Sequence, residues 1–260
     1  MNNVEIFKDT LHQAEMFYPF NPDNVKYYNG LKIVEKCAHT PAISVVKGGT
    51  VSVGYANADD MQVAILNFAD ALQCGGLVWV GANTQEENIC RCSNLYPTLD
   101  NEESHKNYYT PNNEAVNYSG REVYTDRIIY SKDVTVFKDD ETYENIEPKK
   151  LDVITCPAPN TALKTLTAMQ IYVTRIEQIV LSALDNGVDC IVLGAWGCGA
   201  FGQDPELVAK SFAYVLNIYG GYFKKIIFAI RPTSGKGDGM YKLFRRILSS
   251  DYAGGIRDEK

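Results

Sequence analysis

Short apolar runs alternate with amphipathic stretches along the chain, an arrangement typical of a sheet covered by helices. Four of these runs are continuous and rich in β-branched residues, as expected for buried strands. They are Val63–Asn67, Asp152–Thr155, Asp189–Leu193 and Lys225–Ile230. A fifth run, Arg127–Tyr130, continues into Val134–Phe137 and predicts a hairpin-like pair of strands.

Helical periodicity follows several of the predicted strands. Apolar residues recur at helical spacing over Thr161–Asn186. Pro205–Tyr219 begins after Asp204, which is an N-cap residue followed by proline at the first helical position. Met240–Ser250 predicts a shorter, basic amphipathic helix. The resulting order of strands and helices predicts a three-layer α/β/α fold with a mixed central sheet.

No long linker or internal repeat divides the chain, so we expect one domain over residues 1–260. Residues 1–40 predict an N-terminal helical cap of one or two helices, interrupted by Pro19 and Pro22. Residues 100–150 are polar, acidic and rich in Asn and Tyr. This stretch predicts a surface insertion that ends in the hairpin and shapes a rim.

Composition and charge exclude several classes of protein. The 260 residues are 45% hydrophobic and 22% charged, as in ordinary globular domains. The net charge of −7 argues against a non-specific binder of duplex DNA, which needs a broad basic face. Between Thr84 and Glu147 there are 14 acidic and 6 basic residues, a local charge of −8. The acidity is therefore concentrated in one part of the chain.

The chain shows no feature of export or membrane insertion. No apolar run approaches the roughly 20 residues of a membrane span, and the N-terminus lacks the pattern of a signal peptide. The seven cysteines are mostly embedded in apolar runs, which favours reduced core thiols over disulfides. We therefore expect a cytoplasmic protein without a membrane partner.

Three loops that contain glycine follow predicted strands, and ligands of open α/β sheets bind at such positions. The first contains Gly75 and Gly76, the second is Gly194–Gly202, and the third is Arg231–Gly239. The second loop leaves successive N–H groups unshielded and leads into the helix at Pro205, which suits an anion. A tight turn between strand and helix would explain one such loop equally well. Two loops that face each other favour a bound diphosphate.

The triplet Gln85-Glu86-Glu87 follows the first glycine loop and begins a helical pattern. Two carboxylates at a helix start are often only favourable charges near the helix dipole. A glutamate beside a sugar is also the usual acid that protonates a glycosidic leaving oxygen.

Cysteines and histidines offer weaker candidates. Cys90 and Cys92, with Cys74 and His105, suggest a zinc site, but a C-x-C pair without a second pair lacks the usual structural spacing. We interpret them as core or incidental thiols and predict no metal and no cofactor. None of the histidines (His12, His39 and His105) lies in a glycine loop. The basic stretch from Arg231 to Arg246 is typical of a solvated helix face.

Taken together, these motifs resemble the microbial-type poly(ADP-ribose) glycohydrolases, a branch of the macrodomain superfamily. The family signature is a glycine-rich loop followed by Gln-Glu-Glu, here Gly75-Gly76-Leu77 and then Gln85-Glu86-Glu87. The supporting segments are Ile65–Ala69, Cys90-Arg91, Leu95–Pro97, Val153–Asn160 and Leu193–Gly202. The resemblance covers roughly residues 1 to 250 and implies a macrodomain-like fold that holds ADP-ribose.

The resemblance also implies roles for single residues. Glu87 would be the catalytic acid/base, and Glu86 would hydrogen-bond the ribose hydroxyls. Gly75 and Gly76 would approach the diphosphate, and Phe201 would pack against the ribose. The full set of implied substrate-binding residues is Asn67, Gln73, Gly75, Gly76, Gln85, Gly197, Cys198, Gly199, Ala200 and Phe201.

One departure from the family pattern concerns the first loop. Family members usually carry Asn-Pro-Gly-Gly-Gly where this chain has Gln73–Leu77. Leu77 adds a side chain where a third glycine would stand, so we expect an altered binding geometry.

The predicted function is hydrolysis of a ribose glycosidic bond in poly(ADP-ribose) or a mono-ADP-ribosylated protein, by a monomer. Three alternatives stay open. The first is a hydrolase of ADP-ribosylated arginine or nucleic acid, and the second is a non-catalytic ADP-ribose reader. The third is an α/β domain with purely structural glycine loops.

Overall fold

A computed structural model describes residues 1–32, 34–35, 41–160, 165–232 and 238–257. Within these residues, eight strands form one mixed sheet. They are β1 (Val25–Tyr28), β2 (Ile43–Lys47), β3 (Val63–Phe68), β4 (Ile128–Lys138), β5 (Asn145–Cys156), β6 (Cys190–Leu193), β7 (Lys225–Ile230) and β8 (Ile256–Arg257). Their order across the sheet is β1-β4-β5-β3-β6-β7-β2-β8. Strands β1, β4 and β5 pair antiparallel, and the pairs from β5 to β8 are parallel.

Helices connect these strands and cover both faces of the sheet. They are α1 (Asn3–Phe17), α2 (Thr50–Ala56), α3 (Gln85–Cys92), α4 (Leu95–Leu99), α5 (Glu102–Ser104), α6 (Thr110–Ser119), α7 (Thr165–Asp185), α8 (Pro205–Tyr219) and α9 (Gly239–Asp251). A π-helical turn, His105–Tyr109, joins α5 to α6, and short 3₁₀ turns lie at Pro22–Asn24, Val78–Val80 and Gly220–Tyr222. Among the described residues, the structure contains no helix whose length and hydropathy would let it span a bilayer.

The core consists of two apolar layers, one on each face of the sheet. Side chains of α7, α8 and α9 pack against one face, and side chains of α1, α2, α3 and α4 pack against the other. Strands β3, β6 and β7 are buried almost throughout, which explains their continuous apolar sequences. The predicted three-layer α/β/α fold with a mixed sheet is confirmed.

The predicted hairpin between Arg127–Tyr130 and Val134–Phe137 is wrong. Both runs belong to the single strand β4, and the hairpin partner of β4 is β5. The polar residues between the runs form a bulge, where the register shifts between Ser131 and Val134. Asp133 adopts a φ of +57° in this bulge. A bulge interrupts the apolar pattern as a turn would, without ending the strand.

Within its described residues, the N-terminal segment contains one α-helix and the short 3₁₀ turn Pro22–Asn24, where one or two helices were predicted. Helix α1 buries Phe7, whose ring packs edge-on against Trp79 and Tyr96. The chain then forms strand β1, because Val25–Tyr28 pairs with the edge of β4. The predicted cap is therefore part helix and part sheet.

Residues 100–150 are integrated into the fold more than the expected surface insertion would be. Strands β4 and β5 are interior strands of the sheet, and Tyr108 and Tyr109 are buried. The first half of β5 is mostly polar and largely exposed, whereas its second half is mostly apolar and buried. A strand with a partly polar sequence can therefore lie in the interior of the sheet. The predicted single domain over 1–260 stays a prediction. Residues 161–164, His39 and most of the third glycine loop (233–237) lie outside the described residues.

Candidate active site

The first two glycine loops leave the same edge of the sheet. They follow β3 and β6, which are adjacent and parallel. Gly194, the first residue of the second loop, packs closely against the end of β3. A Cβ built on it would lie 2.8 Å from the Phe68 ring. Both loops therefore lie at one edge of the sheet, where ligands of open α/β sheets bind, and that they flank one ligand site stays a prediction.

Glu87 is held at the start of helix α3. Its Oε2 accepts a hydrogen bond from the backbone N–H of Thr84 (3.1 Å) and a short one from the Thr84 hydroxyl. Its Oε1 accepts from the backbone N–H of Leu77 in the first loop (3.0 Å). Glu87 is 4% exposed. Three donors therefore fix a buried carboxyl group between the helix and the glycine loop.

Glu86 is the second buried carboxyl group, 2% exposed. Its Oε2 accepts from the backbone N–H of Asp70 (2.7 Å), and its Oε1 accepts from Asn67 Nδ2 (3.1 Å). Burial raises the pKa of Glu86 well above its ordinary 4.5, and the nearby carboxyl groups of Asp70 and Glu87 act in the same direction. Strongly shifted pKa values are typical of functional sites, which makes Glu86 a functional-site candidate.

Gly76 lies directly against both acids. A Cβ built on it would stand 2.6 Å from Glu87 Oε1 and 3.2 Å from Glu86 Oε2. Its φ of +60° is also in the left-handed region, as is the +64° of Gly75. A Cβ on Gly75 would lie 2.8 Å from the ring of Tyr96. The loop can lie against the carboxyl groups because Gly76 has no side chain, and against Tyr96 because Gly75 has none.

The side-chain amides of Gln85 and Asn67 differ in whether a hydrogen-bonding atom is left without a partner. Gln85 accepts from the Phe68 N–H (2.8 Å) and donates to Leu66 O and Thr50 Oγ1 (2.8 Å each), so its amide joins α3 to β3. Its predicted contact with substrate stays a prediction. Asn67 Nδ2 donates to Glu86 and Thr155, and its buried Oδ1 has no partner among the described residues. Asn67 thus keeps a free acceptor beside Glu86.

The second loop combines a tightly packed start with an exposed middle. Gly197 adopts a φ of +78°, and a Cβ on it would lie 2.8 Å from Ala158. Cys198 is partly buried, and burial raises the pKa of its thiol to about 12, so the thiol stays neutral. Gly199 and Ala200 are exposed, and Phe201 is partly buried. The Cys198 N–H donates to Ala195 O (3.1 Å), so the backbone amides open to a ligand are those of the exposed Gly199 and Ala200.

The departures in the first loop do not strain it. Gln73 is exposed, its N–H donates to Asp70 Oδ1 (3.0 Å), and its carbonyl accepts from the Gly76 N–H (3.2 Å). Leu77 has a φ of −98° and is 48% exposed. A side chain therefore fits where the family pattern has a third glycine. The expected effect of Leu77 on ligand geometry stays a prediction.

Sequence reasoning missed two residues that support the acids. Asp70 follows β3 and anchors the turn at Leu72 and Gln73 through its carboxylate. Thr84 precedes Glu87 by three residues, the spacing of a capping box. This spacing in the sequence could have predicted that Thr84 holds the Glu87 carboxyl group.

The cysteines that suggested zinc separate into two groups. Cys90 and Cys92 are fully buried on α3, and burial raises the pKa of each thiol, as expected for the predicted core thiols. Cys74 instead lies beside His105 and Asp100 at the surface of the site. Asp100 was not among the sequence candidates.

Comparisons with known proteins identify relatives of this chain. The family described as microbial-type PARG, catalytic domain, matches residues 7–139, which include the first loop and both glutamates. PARG denotes poly(ADP-ribose) glycohydrolase. No match was found among curated protein sequences.

Solved structures of bacterial PARGs match nearly the whole chain. The PARG of Thermomonospora curvata is 27% identical with a TM-score of 0.80, covering 94% of this chain and 98% of that one. The same enzyme bound to the inhibitor ADP-HPD is 28% identical, with a TM-score of 0.78 and the same coverage. The PARG of Deinococcus radiodurans in complex with ADP-ribose is 30% identical with a TM-score of 0.72, covering 81% of this chain and 85% of that one.

The family match spans half of the chain and contains both buried glutamates and the glycine loop that lies against them. The chain therefore belongs to the microbial-type PARG catalytic-domain family, and it is a hydrolase of glycosyl bonds.

Proposed function

We propose that this chain binds ADP-ribose and hydrolyses the ribose–ribose glycosidic bond of poly(ADP-ribose). The observation that carries the proposal is the pair of buried carboxyl groups, Glu86 and Glu87, with the backbone of Gly76 against both. The ADP-ribose and ADP-HPD complexes of the solved relatives support the ligand class.

Glu87 is the acid/base of the proposed reaction. It donates a proton to the leaving oxygen as the bond to the anomeric carbon breaks, leaving an oxocarbenium-like carbon. It then accepts a proton from the water that adds to this carbon. The hydrogen bonds from Thr84 and Leu77 would fix the carboxyl group throughout.

Glu86 and Asn67 would orient the ribose. The Glu86 carboxyl group is held by Asp70 and Asn67, and it would accept a hydrogen bond from a ribose hydroxyl. The buried Asn67 Oδ1, which no described residue contacts as a donor, would accept a second. Leaving such an acceptor without a donor costs about 1–3 kcal/mol, which a bound hydroxyl would recover.

The two loops would hold the diphosphate. In the second loop, the exposed Gly199 and Ala200 would offer backbone amides, Gly197 and Cys198 would line the same side, and Phe201 would pack against the ribose. Gly75 and Gly76 would approach from the other side. Neutral amides suit an anion even in a protein whose net charge is −7.

The test compares Glu87→Gln with wild type on purified poly(ADP-ribose). We expect ADP-ribose release to fall by about 10²- to 10⁴-fold, while ADP-ribose binding by calorimetry persists. Glu114→Gln, at an exposed acid of the same acidic segment, is the matched control and should leave turnover unchanged. If Glu86→Gln is inactive while Glu87→Gln is active, the two roles are reversed.

A substrate panel separates the alternatives. Polymer, arginine-linked ADP-ribose and ADP-ribosylated nucleic acid are each offered to wild type. Turnover of only the second or third identifies a mono-ADP-ribosyl hydrolase. Binding of ADP-ribose without any turnover identifies a reader, and absence of binding leaves the loops a structural role. The monomeric state, the lack of duplex-DNA binding and the cytoplasmic location stay predictions.

A further inference from the structure

Three side chains of different chemistry meet beside the first glycine loop. His105 Nε2 lies 3.6 Å from Cys74 Sγ and 3.0 Å from Asp100 Oδ1. All three ligand atoms lie within 4.8 Å of one another. Among the described residues, this is the only group of three or more Cys, His, Asp or Glu side chains close enough to share one ion.

The arrangement does not fit a cysteine nucleophile. In a catalytic triad, one ring nitrogen of histidine faces the nucleophile and the other faces the carboxylate. Here the same nitrogen, His105 Nε2, faces both Cys74 and Asp100.

Convergence on one point is the geometry of a metal site instead. Zinc takes thiolate at about 2.3 Å and imidazole at about 2.0 Å, so tetrahedral angles separate the sulfur and nitrogen by about 3.5 Å. The observed 3.6 Å between Cys74 Sγ and His105 Nε2 matches this edge. His105 and Asp100 have side chains that are 51% and 45% exposed, which leaves a fourth position open to solvent.

The surroundings hold these ligands in place. Asp100 Oδ2 accepts from the Tyr96 hydroxyl (3.0 Å), which in turn accepts from Trp79 Nε1 (2.8 Å). Such outer hydrogen bonds orient the carboxylate ligands of metal sites. His105 begins the π-helical turn that ends at Tyr109, a rare conformation that is frequent at functional sites.

We propose that Cys74, Asp100 and His105 bind one zinc ion through Sγ, Oδ1 and Nε2, with water as the fourth ligand. On binding, the Cys74 thiol releases its proton to solvent. This site departs from the expectation, drawn from cysteine spacing, that the chain has no metal site. Cys74 directly precedes Gly75, so the ion would fix the start of the loop that lies against the two glutamates.

The test uses the full chain, freed of metal with a chelator and kept reduced by a non-thiol reductant. Zinc chloride is titrated by calorimetry, and cobalt chloride by absorption, because a thiolate-to-cobalt charge-transfer band reports Cys74 directly. We expect one ion per chain. Cys74→Ser and His105→Asn should each weaken binding at least tenfold and Cys74→Ser should abolish the band. His12→Asn, at an exposed histidine of α1, is the matched control.

Thermal unfolding of the metal-free variants checks that each still folds. Zinc should raise the Tm of wild type and His12→Asn but not that of Cys74→Ser. Weak or absent zinc binding by wild type would overturn the proposal. So would Cys74→Ser and His105→Asn variants that bind zinc as tightly as wild type. These readouts do not use hydrolysis, so they are independent of the proposed function.

Discussion

Replacing Gly76 by alanine tests whether the first loop must touch both acids. The added Cβ would stand 2.6 Å from Glu87 Oε1, a distance that real Cβ atoms essentially never show. Either the Glu87 carboxyl group or the loop has to move. Because the neighbouring Leu77 N–H donates to that same oxygen, its hydrogen bond of 3.0 Å is the first to be lost.

Besides the collision with Glu87, the substitution has a backbone cost that must be measured separately. Gly76 has a φ of +60°, and a left-handed conformation costs alanine about 1–2 kcal/mol. Gly120 supplies a control for this term, because its φ is +65° and a Cβ on it would meet nothing within 4 Å. Gly120→Ala therefore has the backbone cost without the collision.

Urea denaturation and polymer hydrolysis are measured for both variants. We expect each to lose about 1–2 kcal/mol of unfolding free energy from the backbone term. Gly76→Ala should also lose turnover by about 10²-fold or more, since the acid is displaced from its position. Gly120→Ala should keep wild-type turnover.

Equal turnover in the two variants would refute this reasoning, because it would mean that Glu87 works without the loop contact. A Gly76→Ala protein that is unfolded where Gly120→Ala is folded would show that the collision acts on the fold instead. Binding of ADP-ribose by calorimetry then separates loss of the acid from loss of the ligand site.

Two further predictions concern the buried side chains of Glu86 and Arg175. The pKa of Glu86 is raised in the folded state, so the unfolded chain ionises first as pH rises above 4.5. Wild type therefore loses stability over this range, by about 1.4 kcal/mol for each unit by which the folded pKa exceeds the unfolded pKa. The Tm of Glu86→Gln relative to wild type should therefore rise with pH from 4.5 upward, and a constant difference would contradict the shift. Arg175 is buried, pairs with Asp126 (2.8 Å) and donates to the carbonyls of Pro157, Val123 and Tyr124. Arg175→Leu should cost about 3–5 kcal/mol in urea denaturation, whereas Asp126→Asn, at a side chain that is 46% exposed, should cost less than about 1 kcal/mol.

Strands β3, β6 and β7 could be predicted because burial on both faces leaves little choice of residue. Strand β7 was predicted at its observed bounds, and β3 to within one residue. Strands β1 and β2 could not be predicted in this way. Val25–Tyr28 is only half-buried, and Ile43–Lys47 is short and contains Ser44, which is fully buried. Their conformation is decided by pairing with β4 and β7, which a local pattern does not contain.

The candidate site was predictable in its parts and not in its contacts. The Gln85-Glu86-Glu87 triplet and the two glycine loops stand out in the sequence. That Gly76 lies against both acids, and that Cys74 meets Asp100 and His105, depends on how the loop folds back on α3 and α4. Residues separated by up to 31 positions in the sequence are neighbours there, and no spacing rule relates them.

The acidic charge between Thr84 and Glu147 is a poor measure of the field that a diphosphate would meet. Several of these acids are engaged within the fold: Asp140 pairs with Arg231 (2.8 Å), Asp126 pairs with Arg175, and Asp100 contacts His105. Burial also raises the pKa of Glu86, which favours its neutral form. The formal −8 therefore overstates the repulsion at the site. Anion binding would therefore depend more on the exposed backbone amides of the second loop, at Gly199 and Ala200, than on the formal charge of this segment.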